Sequence, residues 1–112
     1  MKFLVCVMLL TVWLFGLQSV AMAHSNHDVI SGQKALSVAN RSVKQLTFKD
    51  FGFEVGKLDA SWKELKIEDF SVAEVLHEGY IVKATNNANS DTIFFHIGAN
   101  GQVLNVKNSH AF

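Results

Sequence analysis

The sequence predicts an α+β domain, with one N-terminal helix packed on a four-stranded antiparallel meander. Three observations predict it. Between Ile30 and Leu46 apolar residues recur at spacings of three and four, and from Phe70 onward that pattern gives way to short runs rich in β-branched and aromatic residues. Those runs are parted by turn residues, of which Asn100-Gly101 is the strongest hairpin signal in the chain. A helix followed by consecutive strands, with no helix between them, places the helix as a layer over one face of an antiparallel sheet.

Residues 1–23 are expected to be an export signal and not part of that domain. Met1-Lys2 supplies a positive start, Phe3 to Leu17 is an uncharged apolar run, and Ala21-Met22-Ala23 is a small-x-small cleavage signal before His24. The uncharged stretch is long enough to span a bilayer if uncut, but Gln18, Ser19 and the small residues weaken its end, so cleavage is the expectation. Cys6 has too little chain before it for a lipid-anchored cysteine and reads as part of the apolar core of the leader. Cleavage leaves 89 of the 112 residues, placed in the periplasm or secreted.

Composition narrows the function classes. Of the ten Lys and Arg residues only Lys2 lies in the leader, which leaves nine basic residues against ten acidic ones. So even a balance gives no footprint for nucleic acid or for an anionic membrane surface. The processed chain has no cysteine and hence no disulfide, thiol nucleophile or cysteine metal site, although its compartment permits disulfides. Its length suffices for one core, so residues 30–112 are read as a single domain behind a flexible polar tail, residues 24–29.

Within the domain, Ala35, Leu36, Ala39, Val43 and Leu46 form the buried stripe of the helix. Ser31 is its N-cap, with Lys34 standing where a capping-box acid is usual, and Lys44 and Lys49 lie near the C-terminal end that favours cations. The helix is expected to stop between Leu46 and Phe51, with Gly52 as candidate terminator. Gly52 to Leu65 reads as a turn and a short helical piece capped by Asp59, whose carboxylate can accept backbone N–H groups, with Trp62 pointing back as an apolar plug. Strands follow over Phe70–Leu76, Tyr80–Thr85, Thr92–Ile97 and Gln102–Lys107. Alternation sets Ile93, Phe95 and Ile97 toward the helix, and Thr92, Phe94 and His96 on the opposite, open face.

The order of these elements, with the Asn-Gly turn and the Gly101-Gln102-Val103-Leu104 strand, resembles the PepSY-like group of small exported domains, a cystatin-like arrangement. Gly56-Lys57-Leu58-Asp59-Ala60-Ser61-Trp62 is similar to a glycine-lysine-aspartate-serine-tryptophan segment in a family of short periplasmic proteins without an assigned activity. The chain departs from that family at Asn108-Ser109-His110-Ala111-Phe112, where an aromatic and asparagine-rich ending is commoner. The resemblance implies a fold and a compartment, carries no catalytic residues over, and makes binding the expected role.

Candidate sites follow from side-chain chemistry. A free amine at His24, with the imidazoles of His24 and His27 and the carboxylate of Asp28, could hold Cu(II), Ni(II) or Zn(II), the cations suited to neutral nitrogen donors. His27 is the fourth residue of the processed chain and misses the usual square-planar amino-terminal copper arrangement, so a solvated tail is the plainer reading. Phe94 and His96 on the open face are candidate partner-binding residues, while His77 and His110 have no spacing partner. The pairs Glu68-Asp69 and Glu74 with Glu78 read as solvated charges, because acid–base work needs a carboxyl in an apolar cleft. Ser61 lacks a nucleophile elbow, and no phosphate-cradling glycine loop is present. Asp59 and Trp62 are assigned to structure. The expected function is therefore a non-enzymatic exported module that engages a protein or peptide through the open face or edge of its sheet, without a required cofactor. A periplasmic accessory protein that binds Cu or Zn through the histidine tail is the alternative.

Overall fold

A computed structural model of the chain describes residues 29–112. The leader and the metal-site candidates His24, His27 and Asp28 lie outside the described residues. What is described is one helix, α1 (Gly32–Leu46), packed against a four-stranded antiparallel sheet of β1 (Phe70–Leu76), β2 (Gly79–Asn86), β3 (Asp91–Gly98) and β4 (Val103–Lys107). The strands neighbour one another in chain order, so the sheet is an open meander. Two short 3₁₀ turns, Ala60–Glu64 and Ile67–Asp69, lead from the helix to β1. Among the described residues no helix is long and apolar enough to cross a membrane.

Helix α1 starts where Ser31 stays extended and its hydroxyl accepts the Lys34 N–H at 3.1 Å, satisfying a donor the first turn leaves free. It ends at Leu46, within the expected bounds, but Gly52 is not its terminator. Thr47 closes the helix, still in right-handed helical conformation, with its N–H and its hydroxyl both donating to Lys44 O. Gly52 lies further on at φ +94, in a turn where its N–H donates to Asp50. Near the same end Lys44 Nζ donates to Asn40 Oδ1 at 2.7 Å and to Leu65 O at 2.8 Å, so the lysine placed there by the helix dipole also ties down the 3₁₀ segment.

The helix stripe is Ala35, Val38, Ala39, Val43 and Leu46, with Leu36 only partly buried. Val38 lies toward one flank of that stripe and is buried because Ile30 and the loop before β4 close over it. A methyl on Gly101 would meet both Ile30 and Val38 at about 4 Å. That loop also departs from a two-residue Asn-Gly hairpin. Gly98 and Gln102 close a three-residue loop, with the Gly101 N–H donating to Gly98 O and Gly101 at φ +90, the left-handed position that such loops reserve for glycine. Ile30 joins the same loop through its N–H on Ala99 O at 3.0 Å, and its carbonyl accepts the Tyr80 hydroxyl at 2.8 Å.

Ile93, Phe95 and Ile97 of β3 face the helix and are at most 2% exposed. They sit opposite Ala84, Val82 and Tyr80 of β2, and Val106 of β4 completes the layer. Trp62, 3% exposed, belongs to the same core together with Leu58 and Leu65. The turn between β1 and β2 requires glycine at position 79. Its φ is +146, and a Cβ there would lie 2.1 Å from the Ile97 carbonyl oxygen.

Candidate functional site

Asp59 and Trp62 are held in one polar and apolar clasp. Asp59 caps the first 3₁₀ turn, its Oδ1 accepting the Ser61 N–H at 2.9 Å and also the Ser61 hydroxyl. Ser61 Oγ in turn accepts Asn86 Nδ2 at 2.8 Å, and Asn86 Oδ1 accepts the Ala88 N–H at 3.0 Å. Asn86 is only 2% exposed, so this chain of bonds is what permits an amide to lie at the end of β2. The Gly56–Trp62 segment thus acts as a fastener: Asp59 and Ser61 hold the end of the sheet while Trp62 fills the space beside it.

A cleft of about 440 Å³ opens next to this clasp, lined by Lys57, Asp59, Trp62, Asp91 and Asn108 among others. Among the described residues no group of three or more His, Cys, Asp and Glu side chains is placed to hold a metal ion. None of their buried side-chain polar atoms lacks a hydrogen-bond partner.

Phe94 and His96 stand on the sheet face turned away from the helix, half-buried, with Lys83 and Ile81 opposite them on β2 and Lys107 and Asn105 opposite them on β4. That face is not open, and this corrects the expectation. After Lys107 the chain folds back over it. The His110 ring stacks on Phe94, with centroids 5.2 Å apart and planes 8° from parallel, and Phe112 meets His96 edge-on at 5.7 Å. His110 Nε2 donates to Glu74 Oε1 at 3.0 Å. The Lys107 ammonium lies 5.1 Å from the centre of the Phe112 ring and donates to the Ala111 carbonyl at 2.8 Å. Because Glu74 is on β1 and Phe94 on β3, the imidazole bridges two strands across β2. Ile81 of β2, opposite both Glu74 and His96, is 1% exposed although it stands apart from the helix-side core.

A β-bulge delivers Glu74 to this face. Val72 pairs with Val82, but the next pair is Glu74 with Ile81, so Ala73 is an extra residue. An inserted residue reverses the alternation beyond it. Without Ala73, Glu74 would fall on the helix side in phase with Val72; with it, the carboxylate faces the returning C-terminal segment. The origin of that segment is fixed separately, since Asn108 donates both its backbone N–H and its side-chain amide to Glu54 Oε2 at 3.3 Å.

Sequence reasoning named Phe94 and His96 but missed Glu74, Lys107, His110 and Phe112, the residues that meet them. His110 and Glu74 are separated by 36 positions, and only the bulge turns the carboxylate toward the histidine. The one local signal was the ring-x-ring spacing of His110 and Phe112, which matches that of Phe94 and His96. His77 makes no ion pair and no ring contact in the described structure.

The contacts that hold the segment are individually small. A ring pair contributes about 0.5–1.5 kcal/mol, an exposed cation over a ring about 0.5–1 kcal/mol, and a side-chain hydrogen bond about 0.5–1.5 kcal/mol. Against them stands the cost of ordering the backbone, about 1–2 kcal/mol for each residue. A segment held on those terms is a weak latch.

Neither a curated protein nor a solved structure matches the chain. A family model, described as a family of unknown function (DUF6488), matches residues 1–111, and the chain belongs to that family.

Proposed function

We propose that this protein is an exported, non-enzymatic binding module that takes an extended segment of a protein or peptide partner across the outer face of its sheet, at Phe94 and His96. The observation that carries the reading is the C-terminal segment lying on that face, with ring placed on ring at both residues. A surface that accommodates one ring-bearing segment has the chemistry to accommodate another. The reading is in keeping with residues 1–23 being read as an export signal and with the resemblance of the element order to the PepSY-like group, whose domains are generally discussed as binding modules or peptidase inhibitors.

The test is selection of a displayed random peptide library against the protein, followed by titration of the selected peptides with amide resonances followed by NMR. Bound peptides are expected to shift resonances of β3 and β4, and to lose about 2 kcal/mol, close to thirtyfold in affinity, on Phe94→Ala or His96→Ala. Peptides that bind the doubly substituted protein as tightly as the wild type would remove the outer face from consideration.

A further inference from the structure

We infer that Ser109–Phe112 is a displaceable strap, a stand-in for the partner in cis, and that the partner segment it stands in for carries two ring-bearing or planar side chains two residues apart. The inference rests on the proposed binding role of the outer face and assigns that face its ligand chemistry and its regulation.

The first ground is a match of periods. Along β3 alternate residues point the same way, about 6.5–7 Å apart. His110 and Phe112 are likewise two positions apart in the chain and meet Phe94 and His96, each ring on one ring. A segment that bends through Asn108–His110 therefore sets two rings on two rings of the same sequence spacing. The second ground is the different chemistry of the two positions. At the first, a flat group must stack on Phe94 and donate a hydrogen bond to Glu74, which suits an imidazole or a guanidinium. At the second, the occupant meets the His96 ring in an edge-to-face contact and has the Lys107 ammonium over its ring, and a cation held over a ring selects for an aromatic face.

The third ground is how the strap is attached. It pairs with no strand, since β4 ends at Lys107 and the register of the sheet includes nothing beyond it. Its gripping side chains remain half in solvent, with His110 44% and Phe112 47% exposed. Asn108, held by Glu54, is the fixed point from which the strap can leave without disturbing β4. A segment tethered so closely acts at an effective concentration in the millimolar range, enough to keep weak ligands off while yielding to one that makes the same contacts and more. The apparent affinity of any such ligand is lowered by the fraction of time the strap is away.

The test uses the full chain, purified after export, as wild type and with His110→Ser and Phe112→Ser together, which removes the rings without shortening the protein. The probe is the synthetic pentapeptide Asn-Ser-His-Ala-Phe, and the readout is the shift of β3 amide resonances on titration. The doubly substituted protein is expected to bind the pentapeptide at least tenfold more tightly than the wild type. Adding Phe94→Ala is expected to abolish that gain, and a pentapeptide with alanine in place of both rings should not bind. Helix-side resonances report that every variant is folded. Equal affinity for wild type and double variant, or no binding to the double variant, overturns the strap. If library-selected peptides then still bind at Phe94 and His96, the binding role of the face survives while the strap does not; if they bind elsewhere or not at all, both fall.

Discussion

The two faces of the sheet are built on opposite terms, although neighbouring residues of one strand supply both. On the helix side Phe95 and Ile97 are wholly buried against an all-apolar stripe, with Trp62 packed into the same core. On the outer side Phe94 and His96 meet single rings, and their polar companions Glu74 and Lys107 stay in reach of water. Stabilisation from burial grows with apolar area removed from water, roughly 25 cal/mol per Å², so the helix side decides whether the chain folds. The outer side, apart from the buried Ile81, contributes less to that decision and is freer to be selected for what it holds. Along β3 strand alternation divides the two roles residue by residue, while in β1 the bulge at Ala73 resets it.

The largest expected effect tests the helix side. Trp62→Ala removes the indole from a core position that is 3% exposed and should lower unfolding free energy by about 3–5 kcal/mol in urea or thermal denaturation. The shortened side chain cannot be replaced by collapse of the turn, because the Trp62 N–H and C=O are already committed to Asp59 O and to the Leu65 N–H. An unchanged melting curve would break the comparison, since the residue would then have to lie on a surface.

What the sequence made legible follows the same division. The helix, the four strands and the inward set Ile93, Phe95 and Ile97 were readable because a buried face imposes a period, and a period survives in sequence. The Asp59 cap was readable because its partner, Ser61, is two residues away. The burial of Val38 was not, because it depends on Ile30 and Gly101, brought from the start of the domain and from the last hairpin. The strap was invisible for a related reason: Asn108 to Phe112 has no apolar period, and its contacts depend on a bulge at Ala73 that a pattern of alternation cannot reveal. The outer face was therefore located correctly and its occupant overlooked.

A smaller effect is expected at the clasp of Asp59, Ser61 and Asn86. Asp59→Ala removes the acceptor for the Ser61 N–H and hydroxyl, and should cost about 0.5–2 kcal/mol, as a lost cap does. Asp59→Asn keeps an acceptor oxygen in place and should recover most of that loss in the same denaturation measurement. If both variants lose equally, the charge and not the cap geometry holds the turn, and the account of the Asp59–Ser61–Asn86 chain has to be redrawn.

The smallest effect sharpens the comparison most, because it separates stability from occupancy at one residue. Glu74→Gln leaves an amide oxygen able to accept the His110 N–H but removes the carboxylate charge from a side chain that is 52% exposed. An exposed pair of this kind contributes about 0–1 kcal/mol, so global unfolding free energy should move by less than about 0.5 kcal/mol. The local outcome should be larger than the global one: the His110 and Phe94 ring resonances should shift toward those of a segment that spends more time off the face, while Phe95 and Ile97 stay put. A shift that instead spread to Phe95 and Ile97 would mean that the two faces are coupled through β3, and that what settles on the outer side is felt by the core.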